Sequence, residues 1–283
     1  PHSQPFSRSE ERVHCVLLVN QNILHLKQDL NNNHLEMEFQ PGFSTSTLQD
    51  TTLLIPSVSI ANIPQLALDL LLHSLDFEKV ATLSDEYLYP FISPVDHADR
   101  ASTPRGVSFG LEVFFCKGKR ITLVQQRTPL MPGFAERHVS EVMVPFVEAS
   151  QFKNIVIMHL LDAGLAQGGF PGDVLVFTPE DVLTESLGSL EISKASTQPS
   201  IVASRDLSPY AGMLVDKLSK LSALSLMVIY AYEGDNLYDA QVMGRQVAEM
   251  LLLDIIDWQT PVSWSGVYGD KSVPSAMEEG MYG

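Results

Sequence analysis

Three places in this 283-residue sequence put reactive side chains at spacings that chemistry could use. His159 closes the apolar run Ile155-Val156-Ile157-Met158, and Asp162 follows three residues later. Ligands commonly sit beyond strand ends in α/β sheets, so this imidazole could serve as an acid or base. Its plainer role is that of a hydrogen-bonded core or surface histidine. Gly168-Gly169-Phe170-Pro171-Gly172 has the glycine content of a phosphate loop, but lacks Gly-x-x-x-x-Gly-Lys and precedes no clear helix, so it reads as a turn. Glu233-Gly234-Asp235-Asn236 pairs two carboxylates at a strand-to-helix turn. They could hold a metal, although helix capping explains the same residues more simply. Gly-x-Ser-x-Gly and His-Glu-x-x-His are both absent from the sequence.

A fourth place suits binding rather than catalysis. The sequence ends Met281-Tyr282-Gly283, after a stretch rich in turn formers and polar residues. A hydrophobic residue, a tyrosine and a terminal residue make a compact docking plug. The ring fills an apolar slot, its hydroxyl finds a partner at the mouth, and a terminal carboxylate pairs with a lysine. Chain ends are loose unless tied down, so such a tail is free to insert elsewhere.

Composition narrows the partners. Eighteen basic against 34 acidic residues give a net charge of −16. With no basic surplus to neutralise phosphates, binding to nucleic acid or to an anionic membrane is disfavoured. A basic protein partner is compatible with that charge. Cys15 and Cys116 are too few and too far apart for a disulfide framework or a zinc site, which fits a reducing compartment, cytosol or nucleus. The longest apolar stretch, around Leu66 to Leu72, is interrupted by Asp69 and too short to span a bilayer.

The elements that must position these residues read as α/β. Residues 1–36 are rich in Gln, Asn, His and Ser, and the expectation is a disordered or spurious leader with Met37 as the true start. Thr51 to Pro56 reads as a buried strand. A helix follows, with Asn62 as N-cap, Pro64 in its first turn and Gln65 completing a capping box. Lys79 to Leu83 is a strand, and Val107 to Cys116 with Arg120 to Gln126 form a hairpin around Lys117-Gly118-Lys119. Those lysines and Arg120 read as a solvated tip, with a contact role as the other possibility. Glu136 to Glu148 has helical spacing, and Asn154 to His159 is a strand covered on both faces. From 162 to 209 the text is loop-rich, with one short strand at Val174 to Phe177. Ser208 to Leu221 is helical, Ser225 to Tyr232 is a buried strand, and Asn236 caps a last helix with Asp239 in its first turn. The expected organisation is a leader (1–36), one α/β domain (37–260) and an extended tail (261–283). Strands alternating with helices, plus one hairpin, give an α/β class.

Two segments, with the tail, resemble the proteasome assembly chaperone 2 family. One runs from Leu53 to Leu70, with alanine and proline at positions 61 and 64 where the family usually has glycine. The other is Tyr232-Glu233-Gly234-Asp235-Asn236 with Asp239-Ala240, and Pro261-Val262-Ser263-Trp264 is a weaker echo. The resemblance implies a mostly parallel sheet flanked by helices, a nucleoside-phosphorylase-like three-layer architecture without catalytic residues or a cofactor. It implies a heterodimer with proteasome assembly chaperone 1 that holds α subunits of the 20S core particle during ring assembly. It also implies that Met281, Tyr282 and Gly283 insert into a pocket between α subunits. The alternative is a nucleoside- or phosphate-handling enzyme on a similar fold, using His159, Asp162 and the Gly168-Gly169 turn.

Overall fold

The computed structural model describes residues 37–99, 101, 105–165, 170–179, 182–183, 202–203, 207–234 and 236–265. The leader, Gly168, Gly169, Asp235, most of the loop-rich insertion and Met281-Tyr282-Gly283 lie outside the described residues. An eight-stranded sheet organises the rest. Its strands are β1 (Met37–Phe39), β2 (Thr52–Pro56), β3 (Glu78–Leu83), β6 (Leu111–Cys116), β7 (Ile121–Gln126), β8 (Asn154–Asp162), β9 (Val174–Phe177) and β12 (Ala223–Ala231). Between β3 and β6, β4 (Ile92–Pro94) and β5 (Val107–Phe109) form a separate antiparallel ribbon. β10 (Val182–Leu183) and β11 (Val202–Ala203) form a short parallel pair. The sheet order is β1-β3-β6-β7-β2-β8-β12-β9.

At the centre β7, β2, β8 and β12 are parallel neighbours, while β6 and β9 run antiparallel on either side. β3 and β1 extend the hairpin side, again antiparallel. The expected α/β sheet with an added hairpin is therefore observed, parallel across its four central strands and mixed as a whole.

Both faces are covered, which is why the central strands carry near-continuous apolar runs rather than a strict alternation. Along β2, Leu53 and Ile55 face one core while Leu54 faces the other; along β8, Ile155 and Ile157 oppose Val156 and Met158. The first core is closed by α1 (Thr45–Leu48), by α3 (Ala135–Arg137) continuing through a π-helical segment (His138–Met143) into α4 (Val144–Ser150), and by α5 (Pro209–Leu218). Pro145 has no N–H for a carbonyl four residues back, and the widened turns lie just before it. The second core is closed by α2 (Ile63–Ser74) and α6 (Leu237–Met250), which pack beside each other. The result is three layers, helices on both sides of one sheet.

The entry to α2 departs from the sequence reading. Asn62 occupies the N-cap position, but at φ 53° its side chain makes no cap bond, so no capping box forms. Ala61, before it, has φ 66° and ψ −1° inside a short 3₁₀ turn (Ile60–Asn62). Two successive non-glycine residues in the left-handed region are strained, and the resembling family has glycine at the first of them. A left-handed alanine costs about 1–2 kcal/mol, whereas a glycine adds about 0.4–1 kcal/mol of unfolded-chain freedom. Ala61→Gly should therefore stabilise the protein by about 0.5–1 kcal/mol in a urea melt. Destabilisation of that size would mean that the methyl group, not the backbone, sets the turn.

Candidate functional site

Strand pairing decides the fate of His159. Pro56 of β2 lies opposite Met158 of β8, so Ser57 falls beside His159 just past the end of β2. Ser57 N–H donates to Met158 O at 2.8 Å, and Ser57 Oγ meets His159 Nδ1 at 2.5 Å. A hydroxyl on an imidazole is the geometry of a nucleophile and its base. Here both are sealed, with Ser57 at 0% and His159 at 2% exposure, so no substrate reaches them. The pair satisfies two buried polar groups and joins the C-terminal end of β2 to β8, which continues past His159 to Asp162 instead of ending there as the sequence suggested.

Burial pushes the His159 imidazole down from 6.5 to about 4. The sign of the consequence follows directly. An unfolded histidine binds its proton near pH 6.5 and the folded one only near 4, so the stabilisation is fully present above pH 6.5 and is lost as pH falls to about 4. The loss is about 3 kcal/mol. Urea melts across that window should show His159→Gln less acid-sensitive than the parent by that amount. Equal acid sensitivity would place the protonatable burden elsewhere.

Asp162 does not join His159. An odd spacing along a strand sends the two side chains to opposite faces. Asp162 Oδ1 instead accepts the Gly164 N–H at 2.8 Å and shapes the turn after β8. The convergent polar site of the enzyme alternative is thus not assembled by these two residues.

The strand-to-helix turn after β12 is a closed polar knot. Asn236 Nδ2 donates to Tyr232 O at 2.8 Å and to Asp239 Oδ2 at 2.9 Å, and Gly234 N–H donates to Asn236 Oδ1 at 2.9 Å. Asn236 holds the N-cap position of α6 without bonding its N–H groups, a correction to the simple cap expected. Glu233 is exposed beside it. Among the described residues no cluster of three or more His, Cys, Asp or Glu is arranged to hold a metal, and no helix is long and apolar enough to cross a membrane.

At the hairpin tip Lys117 and Lys119 are exposed, but Arg120 is a structural residue. It adopts φ 54°, its Nη2 donates to Gln49 O at 3.0 Å, and its carbonyl accepts the Thr52 N–H. Cys116 is a free, buried thiol.

Two surface features escaped the sequence reading. Leu165, Phe170, Tyr232 and Tyr238 lie in the segments just beyond β8 and β12 and before β9, and are 56–82% exposed. Large apolar side chains in water mark a surface suited to another protein. Each looked ordinary in sequence, because its neighbours come from different segments.

The other feature is a strap, residues 257–265. Gln259 N–H donates to Ser74 Oγ at the end of α2 (2.9 Å), Val262 N–H donates to His97 O (2.8 Å), and Ser263 Oγ donates to Asp96 Oδ2 (2.5 Å). Pro261 is buried and Val262–Ser265 make a 3₁₀ turn, so the segment read as extended is held against the body up to the last described residues. The Pro-Val-Ser-Trp echo was its only signal.

Among the described residues the Ser57–His159 pair is sealed, whereas Leu165, Phe170, Tyr232 and Tyr238 are open to another protein. The PAC2 family model matches residues 53–230, from β2 to the end of β12. The chain is similar to proteasome assembly chaperone 2 of Saccharomyces cerevisiae, 26% identical over 251 residues that cover 77% of this chain and 94% of that protein. It is 24% identical over 258 residues to proteasome assembly chaperone 2 of Mus musculus, covering 83% and 97%. Among solved structures, Pyrococcus furiosus PbaA, described as an archaeal homolog of proteasome-assembly chaperone, matches with a TM-score of 0.54 at 12% identity, over 78% of this chain and 88% of that one.

Proposed function

Because the chain belongs to the PAC2 family, we propose that it is a non-catalytic chaperone for assembly of the 20S proteasome. The observation that carries this reading is likeness along nearly the whole length of proteins named proteasome assembly chaperone 2. It works as a heterodimer with proteasome assembly chaperone 1, in the cytosol and nucleus, and occupies the α-ring while subunits gather. Two kinds of contact share the task. A broad face binds the sister chaperone and α subunits, for which the exposed Leu165, Phe170, Tyr232 and Tyr238 are suited. The tail Met281-Tyr282-Gly283 docks between α subunits and raises affinity through effective concentration.

The strap supports the second contact. It holds the chain to α2 and to the 96–97 segment up to residue 265, leaving 18 residues to Gly283. At full extension those span at most about 60 Å. A charge of −16 fits basic protein surfaces and repels nucleic acid. Co-expression with proteasome assembly chaperone 1 tests the dimer: a single 1:1 peak in gel filtration is expected, and two separate peaks would refute it.

A further inference from the structure

A cavity of about 450 Å³ opens between the strap and the N-terminal half of α6. Its wall is chemically one-sided. Trp258 and Trp264, the two tryptophans of the sequence, both line it, with Asp257, Gln241, Gln259 and Thr260. Among the described residues no lysine, arginine or histidine does. The Asp257 carboxylate is exposed to solvent, and one oxygen accepts the Gln259 amide at 2.5 Å. A carboxylate has about four lone-pair sites, so that bond leaves room for more donors.

Indole rings attract cations, a carboxylate pairs with them in a charge-assisted bond, and amide and hydroxyl oxygens accept the remaining N–H groups. The described residues of the wall carry no positive charge to oppose this, and the net charge of −16 draws cations toward the surface. We propose that this cavity receives a basic side chain, an arginine or lysine, presented by a partner protein. The place fits: the cavity is walled by the strap itself, so a partner engaged by the residues beyond the strap is held close to it. The protein source rests on the chaperone reading, whereas the cation preference stands on the cavity alone.

The two tryptophans make the test direct, because intrinsic fluorescence then reports on this cavity. The full chain is titrated with Nα-acetyl-argininamide, with its neutral citrulline counterpart, and with adenosine. A saturable change with arginine in the millimolar range, at least tenfold weaker with citrulline and at least fivefold weaker in Asp257→Asn, is the expected result. Circular dichroism of the variant should be unchanged, since Asp257 is exposed. No saturation with arginine, an equal response to citrulline, or saturation by adenosine instead would overturn the proposal. Partner origin is tested by Asp257→Lys in α-subunit capture: at least a fivefold loss is expected, and unchanged capture would overturn it. The titration contains no proteasome component, so its failure leaves the chaperone reading standing.

Discussion

Deleting Met281, Tyr282 and Gly283 should weaken binding to 20S α subunits about a hundredfold or more while leaving the complex with proteasome assembly chaperone 1 intact. Burying a methionine and a tyrosine stabilises by roughly 1.5–3 kcal/mol each. Ordering the residues that carry them takes part of that back. A net of about 3 kcal/mol corresponds to somewhat more than a hundredfold. Tyr282→Ala should give most of the effect, because the ring supplies the larger area and the hydroxyl the specific bond. Extending the chain past Gly283 by a few residues should act like the deletion if the terminal carboxylate pairs with a lysine. Surface plasmon resonance on isolated α subunits reads all three. An unchanged dissociation constant in the deletion would remove the tail from the mechanism and leave the broad face as the whole of it.

The second large effect concerns stability. Asp69 sits on the buried side of α2 at 6% exposure, a charge inside a helix packed against β7 and α6. Two side chains hold it. Arg127 donates to the carboxylate at 2.7 Å, Gln125 Nε2 donates at 2.8 Å, and the same amide nitrogen donates to Gln65 O at 3.0 Å. Burial pushes the Asp69 carboxyl up, and the Arg127 charge opposes that shift. Removing the acid leaves the Arg127 guanidinium, whose Nε is already buried without a partner, facing an apolar helix. Breaking a buried ion pair on one side costs about 3–5 kcal/mol, and that is the expected loss for Asp69→Ala in a urea melt. Asp69→Asn keeps an acceptor for Gln125 and should lose less. A loss under about 1 kcal/mol for the alanine variant would mean that Arg127 swings to water and the pair does not fasten α2 to the sheet.

Much of the architecture was legible locally. The continuous apolar runs at 53–55, 155–158 and 226–230 require cover on both faces, and the helices between them supply it. Pro64, Ser208 and Gly118 marked where elements begin or turn, and Ser208 does cap α5 by accepting the Ala211 N–H at 3.2 Å. What local pattern does not carry is pairing across long stretches of chain. Ser57 with His159, Asp69 with Arg127, and Asp96 with Ser263 are each joined only by the strand order and by the return of the strap. For that reason His159 read as a candidate catalyst until its neighbour and its burial were known. Asn62 shows the other limit: its residue type favours a cap, but the left-handed backbone at 61 and 62 turns the side chain away. The resemblance in Leu53–Leu70 carried the family; the basic-side-chain cavity had no sequence signature, since its walls come from α6, the strap and Ala98.

The most direct test of the central claim is reconstitution of the full chain with proteasome assembly chaperone 1 and recombinant 20S α subunits, followed by native electrophoresis and identification of each band by mass spectrometry. The account predicts one species that contains both chaperones and α subunits. A chain that migrates alone, with α subunits assembling equally well in its absence, would contradict it.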